Sequence, residues 1–365
     1  MTEEYADEWA AQALRRVRAG GADVTPTPLR LLPLPAIRGI DIYLKDESAH
    51  PTGSIKYRLV RALFREAIAN GTLTAGTPVI AATSGAVAVA GAHFARLLDL
   101  AFTAVVPAGT PAGVLARIGA EGGRWQVGEQ PPAAVQQEAR VLAERLGGHF
   151  LDHFADAGRA MAVCGEPTVA DEIFAQLAGE RHPVPEWIVT GAGTGATSAS
   201  VGRHLRDHGR KTRLAVVDPE NSAYFPAWAS GCDDYTTGMP SRIPGIGRPR
   251  TEPGFLPEVI DLMIPVPDAA SVAALRWLRT AAGIDAGPST GTHFWGTCHL
   301  VARMREAGVR GSVVTLIGDT AEPYLTTHLD PSWVRARGLD PAPYEAAVEL
   351  FARTGEWQAG PWHVR

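Results

Sequence analysis

The stretch Lys45-Asp46-Glu47-Ser48-Ala49-His50-Pro51-Thr52-Gly53-Ser54-Ile55-Lys56-Tyr57-Arg58 is a turn-rich loop that runs straight into a helical pattern. Pro51 and Gly53 shape the turn, Ser54 can cap the helix, and Lys56 falls in its first turn. The positive end of a helix dipole disfavours an ammonium at that place and favours a neutral, nucleophilic amine. A lysine taken alone is most often a solvated surface residue; the loop around Lys56 is what singles it out.

A second stretch, Gly191-Ala192-Gly193-Thr194-Gly195-Ala196-Thr197, lies between an apolar strand pattern and a helical one. In that arrangement, free backbone N–H groups and a helix dipole converge on one phosphate. The spacing is neither that of a dinucleotide fingerprint nor that of a P-loop, which disfavours a nucleotide. The bland alternative is a tight glycine turn. Thr83-Ser84-Gly85, again between strand and helix, offers two hydroxyls and exposed amides suited to a carboxylate, or an ordinary helix cap. A fourth run, Val313 to Ile317 followed by Gly318-Asp319-Thr320, delivers Asp319 and Thr320 to the carboxyl end of a strand, the edge where ligands collect in open α/β sheets.

The elements that must position these residues alternate between short β-branched runs and longer helical patterns, which predicts an α/β chain with mostly parallel, twisted sheets covered by helices on both faces. Strands are expected at Asp41–Leu44, Pro78–Ala82, Phe102–Val106, Trp125–Val127, Trp187–Thr190, Arg213–Val217, Val259–Val266 and Val313–Ile317. Helices are expected at Ser54–Asn70, Ala86–Leu98, Val114–Ala120, Ala133–Leu146, Thr168–Leu177 and Ser271–Ala282, with an amphipathic helix in Met1–Gly20 and two short ones in the tail Pro331–Arg365. Glu220–Pro257 shows no period and reads as a long functional loop.

Composition narrows the function classes. Across 365 residues, 34 Lys and Arg face 39 Asp and Glu, and the basic residues are scattered, so a nucleic-acid partner is not expected. The most apolar region, Val79–Val106, is interrupted by His93, Arg96 and Asp99 and is not read as a membrane span. The start of the chain lacks the pattern of a signal peptide. Cys164, Cys232 and Cys298 lie far apart without metal-ligand spacing, which predicts neither a disulfide framework nor a metal site and fits a reducing cytoplasm. His50 is read as a loop-surface histidine or a proton donor, and His293 as a packed helix-start residue or one that points into a site. Phe294 and Trp295 are read as core.

Taken together and in this order, the motifs resemble the fold-type II pyridoxal-phosphate enzymes, the tryptophan synthase β-like group of cysteine synthases, cystathionine β-synthases and serine/threonine dehydratases. The resemblance runs from Thr27-Pro28-Leu29 to Tyr324. Within the group, Lys45-Asp46-Glu47-Ser48, Asp218-Pro219-Glu220-Asn221-Ser222, Ser241 to Arg250 and Gly287-Pro288-Ser289-Thr290-Gly291-Thr292 resemble bacterial L-cysteine desulfhydrases. It implies pyridoxal 5'-phosphate as cofactor, Lys56 as the catalytic lysine that carries it, Gly193, Thr194, Gly195, Ala196 and Thr197 around its phosphate, and Thr320 and Ala86 beside it. Thr83, Ser84, Gly85, Val87 and Gly245 are implied to bind the substrate. It also implies a homodimer of two-domain chains, with a smaller domain over 46–152, a larger one from 1–45 plus 153–365, and the cofactor in the cleft between them.

The activity so implied is β-elimination on L-cysteine to hydrogen sulfide, pyruvate and ammonia, with β-replacement on a β-substituted alanine, possible also in the making of an unusual amino acid, as the alternative. Two departures from the pattern stand out. Ala86 occupies the place where cysteine synthases carry Asn, and Thr320-Ala321-Glu322-Pro323-Tyr324 replaces their usual Ser-Gly-Glu-Arg-Tyr. They motivate a third reading, a pyridoxal-phosphate-binding regulatory protein with impaired turnover.

Overall fold

In a computed structural model, the structure describes residues 3–20, 26–129, 134–162 and 167–358. The strands among them are β1 (Leu29–Leu32), β2 (Ile40–Asp46), β3 (Val79–Ala82), β4 (Phe102–Val106), β5 (Arg124–Val127), β6 (His149–Phe150), β7 (Trp187–Gly191), β8 (Arg213–Pro219), β9 (Leu262–Val266) and β10 (Gly311–Ile317). The helices are α1 (Glu3–Ala19), α2 (Lys56–Ala69), α3 (Ala86–Leu97), α4 (Ala112–Ala120), α5 (Val135–Arg145), α6 (Ala157–Ala162), α7 (Val169–Leu177), α8 (Ala196–Asp207), α9 (Tyr224–Ser230), α10 (Asp268–Ala281), α11 (Pro288–Glu306), α12 (Pro331–Ala336) and α13 (Ala342–Thr354). None of these helices is long and apolar enough to cross a membrane.

The chain forms two compact units, one of Met1–Thr25 with His50–Gly165 and one of Pro26–Ala49 with Glu166–Arg365. The first holds a parallel sheet in the order β5-β4-β3-β6. Its helix α2 buries Leu59, Val60, Leu63, Phe64, Ala67 and Ile68, the recurrence that made it legible as a helix. The second holds a sheet in the order β1-β2-β10-β7-β8-β9, parallel except for the β1–β2 pair. β7 and β10 are buried along their whole length, which requires cover on both faces. The core of this unit joins Ile42, Val189, Val217, Ile264 and Val313 of the sheet to Leu275, Phe294, Trp295 and Phe351 of the helices.

The unit boundaries differ from the sequence expectation at both ends. The N-terminal helix belongs with the first unit because Arg16 donates to the Leu97 carbonyl and pairs with Asp99, and Tyr57 reaches the Gly20 carbonyl at 2.9 Å. α6 joins the same unit because Arg159 pairs with Glu66 of α2. Residues 46–49 stay with the second unit as the end of β2 and the turn after it.

Other expectations also need correction. The two-residue β6 and the edge strand β1 are too short to carry a visible period, and α9 lies inside the expected loop Glu220–Pro257. The expected strand from Val259 begins only at Leu262, because Pro257–Val259 closes a 3-10 turn. α11 carries no amphipathic stripe in the sequence because it is buried on almost every side, Phe294 and Trp295 included. Cys164, Ala133 and the chain ends of the expected terminal helices lie outside the described residues.

One buried ionic cluster fastens the second unit. Lys45, fully buried on β2, spends its three N–H bonds on Glu172 Oε2 at 2.6 Å, the Thr27 carbonyl at 2.6 Å and Gln176 Oε1 at 2.8 Å. Thr27 in turn donates from Oγ1 to buried Glu47 at 2.6 Å and from its amide to Glu172 at 3.1 Å. Removing one partner strands the other charge in the interior. Glu172→Ala is therefore expected to cost about 3–5 kcal/mol in urea unfolding, and a loss below about 1 kcal/mol would contradict the role given to the cluster.

Candidate active site

In the first unit, Lys56 is the first residue of α2 and is half-buried. Its amide donates to Ser54 Oγ at 3.2 Å, so Ser54 does satisfy one helix-start donor, although Ile55 stands at the cap position itself. Gly53 holds φ +66°, the left-handed turn that the loop requires. The loop is also held from a distance, because Arg117 of α4 donates to the Thr52 carbonyl at 2.7 Å. No local sequence signal marks that contact across 65 residues. His50 is not a surface residue: it is buried and stacks on Tyr57 with ring centres 4.8 Å apart.

Thr83, Ser84, Gly85 and Ala86 are half-buried at the carboxyl end of β3, and Val87 is buried behind them. α3 starts at Ala86 with no side chain capping its amides, so the cap reading of Thr83 and Ser84 gives way to that of an open anion cradle. A Cβ at Gly85 would meet nothing within 4 Å, so space lies open beside these amides.

In the second unit, the glycine loop follows β7 and enters α8 at Gly195, whose φ of +81° is left-handed. A Cβ there would run into the Gly254 carbonyl, so both conformation and space demand glycine. Gly195 stands at the cap of α8 without a side chain, and the Ala196 amide donates to Thr194 Oγ1 at 3.3 Å. The loop fits a phosphate group, the anion that helix dipole and open amides favour. Its shape is held by Tyr224, whose hydroxyl donates to the Gly193 carbonyl at 2.6 Å, and by Gly247, whose amide donates to the Ala192 carbonyl at 2.8 Å.

His293 lies within α11 and bridges two strand ends. Its Nε2 accepts the Gly191 amide at 2.9 Å, so Nδ1 carries the proton donated to the Leu316 carbonyl at 2.8 Å. The residue acts in packing and strand tethering, the structural one of its two sequence readings. Phe294 and Trp295 are core, as expected.

At the end of β10, Asp319 is buried while Thr320 is half-buried. Asp319 Oδ2 accepts the Tyr324 hydroxyl at 3.1 Å, and its Oδ1 has no hydrogen-bond partner. A Cβ on Gly287 would touch Tyr324 at 2.7 Å, so space demands glycine there, whereas Gly245 is held to glycine by its left-handed φ of +87°. Pro323 falls in the first turn of a 3-10 helix over Glu322–Tyr324, where an amide would have no helical partner, so it removes no needed hydrogen bond.

Asp218, at the end of β8, is a supporting residue that sequence reasoning did not single out. It is buried, its Oδ2 accepts the Phe225 amide at 2.8 Å at the start of α9, and its Oδ1 has no partner. Burial pushes its carboxyl up to about 7, against the opposing bonds from Ser222 and Phe225. α9 carries Tyr224, so Asp218 stands behind the glycine loop.

Within the second unit, the glycine loop that opens α8 is a candidate cradle for a phosphate group. The chain belongs to the pyridoxal-phosphate dependent enzymes, whose family model matches residues 22–319, and its cofactor is pyridoxal phosphate. It is 47% identical over 353 residues to L-cysteine desulfhydrase Cds1 of Mycobacterium tuberculosis, covering 96% of each chain. It is 31% identical to O-ureido-L-serine synthase of Streptomyces lavendulae, over 83% of this chain and 89% of that one. A crystal structure of O-ureido-L-serine synthase aligns with a TM-score of 0.73 at 28% identity, covering 85% of this chain and 96% of that chain.

Two outcomes check this assignment of supporting roles. His293→Leu leaves two buried backbone groups without their partner and is expected to lower unfolding free energy by about 2–5 kcal/mol in denaturant titration; a neutral variant would overturn the bridge. For Asp218 the folded carboxyl titrates above its usual value of 3.8, so its contribution is full in acid and is lost as pH rises through about 7. The Tm of the protein relative to Asp218→Asn should therefore fall across that window in calorimetry, and a difference flat with pH would refute the shift.

Proposed function

We propose that this protein catalyses β-elimination on L-cysteine, consuming one water and releasing hydrogen sulfide, pyruvate and ammonia. The observation that carries the reading is the 47% identity, over 96% of both chains, to an L-cysteine desulfhydrase. The local geometry supports it, with Lys56 at a helix start, an uncapped cradle at Thr83–Val87 and a glycine loop at Gly193–Thr197 that opens α8.

When bound, pyridoxal phosphate supplies the electron sink that lets a Cα proton and a β-substituent leave. Lys56 would hold the cofactor through Nζ and supply the amine that takes up the Cα proton, with the positive end of the α2 dipole favouring a neutral amine. Gly193, Thr194, Gly195, Ala196 and Thr197 hold the phosphate through backbone amides and hydroxyls. The Thr83 and Ser84 hydroxyls, with the amides of Gly85, Ala86 and Val87, hold the substrate carboxylate. Thr320, or Asp319 beside it, would face the ring nitrogen; a neutral hydroxyl there would not keep it protonated as a carboxylate would, and so would favour prompt loss of the β-substituent. Gly245 would border the amino-acid side of the site, where its left-handed φ of +87° favours glycine.

The β-replacement reading stays in play because the chain is also 31% identical to O-ureido-L-serine synthase. Both fates use the same residues and differ in whether water or a second nucleophile meets the product of elimination. The same reading takes the enzyme as a cytoplasmic homodimer, in line with the family resemblance and the scattered cysteines.

The deciding experiment follows the absorption of the purified holoenzyme on addition of L-cysteine while pyruvate and sulfide are assayed in the same cuvette. Equal rises in the two products are expected; a spectral change without pyruvate, followed by a new amino acid when a nucleophile is added, would replace elimination with replacement. Lys56→Ala should lower turnover by more than about 10³-fold and abolish the cofactor's covalent attachment, read by borohydride trapping and mass spectrometry. Retained turnover in that variant would end the proposal.

A further inference from the structure

The segment 241–250 runs past the end of β10 as an irregular strap, and its two ends are fastened by different means. At the near end, Arg242 Nε donates to Asp268 Oδ2 at 2.6 Å, its Nη2 pairs with Glu220, and its backbone carbonyl accepts from His328 Nε2 at 2.8 Å. The Asp268 side chain is fully buried at the start of α10 and also accepts the Glu220 amide at 3.2 Å. His328 is buried against Trp333, with ring centres 4.6 Å apart. At the far end, the Gly247 amide is bound to the Ala192 carbonyl, the Arg248 amide donates to Ser222 Oγ at 3.2 Å, and Arg248 pairs with buried Glu252 at 3.0 Å.

Between the two ends stands the crest Gly245-Ile246. Ile246 is buried against Gly191, where a Cβ would meet its Cγ2 at 2.6 Å. Gly245 is left-handed, at φ +87°, and faces Asp319 Oδ2. The anchors at its two ends help to set the place of that crest. The guanidinium is the anchor that spans two carboxylates from two different elements, the end of β8 and the start of α10, a task suited to a planar fork of donors and not to the point charge of lysine.

We propose that Arg242 is a positioning residue of the amino-acid site: by joining Glu220 to Asp268 and giving its carbonyl to His328, it holds the Ile243–Gly247 crest beside Asp319 and so sets the affinity for the amino-acid substrate. This rests on the reading that places Gly245 at the substrate. Arg242 touches neither cofactor nor substrate in this account; it acts through the strap.

The test compares wild type, Arg242→Ala, Arg242→Lys and Glu220→Gln as holoenzymes at saturating pyridoxal phosphate, in steady-state kinetics and in equilibrium titrations of the cofactor absorbance with L-cysteine and with O-acetyl-L-serine. Arg242→Ala is expected to raise KM and the spectroscopic Kd for L-cysteine on the order of tenfold while kcat changes less than about twofold, the mark of lost uniform binding. Arg242→Lys should recover part of that loss, and Glu220→Gln, which removes one carboxylate and leaves the Asp268 bond, should show a smaller rise. If Arg242→Ala does not fold, Glu220→Gln at the half-exposed partner decides the matter by the same split. A variant with lowered Tm but wild-type KM and Kd would overturn the proposal and leave the function intact. A wild-type holoenzyme that responds to neither amino acid would overturn the functional reading and this proposal with it.

Discussion

The site in the second unit depends on an imidazole that replaces a missing rung between two parallel strands. The β7–β10 ladder pairs Val313, Val314 and Thr315 with Trp187, Ile188 and Val189 and then stops. Beyond it the Gly191 amide and the Leu316 carbonyl both turn to His293 of α11. Both backbone groups are thereby satisfied inside the protein. The glycine loop and the Asp319–Thr320 turn are the chain segments that leave those two ends.

The buried polar groups behind that edge differ in how completely they are paired. Lys45 has all three donors bound and anchors the strand on the far side of β10. Asp218 and Asp319 are less complete, each keeping one carboxylate oxygen without a partner. An incompletely satisfied buried carboxylate is costly, and such groups collect where a fold has been shaped for binding more than for stability. The support for the glycine loop runs through these residues, from Asp218 to the start of α9 and from Tyr224 of α9 to the Gly193 carbonyl.

The departures from the cysteine synthase pattern read differently once they are placed. Pro323 sits where a helix start asks for no amide, so its presence is neutral for the backbone. Ala86 opens α3 without a side-chain cap, which leaves the carboxylate cradle to backbone amides and to the hydroxyls of Thr83 and Ser84. Neither change disturbs the local backbone. Lys45 and Glu47, which carried part of the likeness to desulfhydrases, serve the buried ionic cluster and not the chemistry.

Local sequence determined whatever depends on neighbours along the chain. Apolar runs marked β4, β8 and β10, helical spacing marked α2 and α3, and glycines at 53 and 195 marked turns that only a residue without a side chain adopts cheaply. Lys56, the glycine loop and the Asp319–Thr320 turn were legible for the same reason, since each is a short motif at a strand or helix boundary. Tertiary structure decided the rest. α11 carries no stripe because it is surrounded, His50 turned from a loop residue into a buried ring on Tyr57, and α1 was assigned to its unit by contacts with residues such as Asp99. Arg117 on Thr52, His293 between two strands and Arg242 between two carboxylates all join positions far apart in sequence. Hydrogen bonds of that kind leave no period or spacing behind, because their partners are chosen by where the chain returns in space and not by what stands beside them in the sequence.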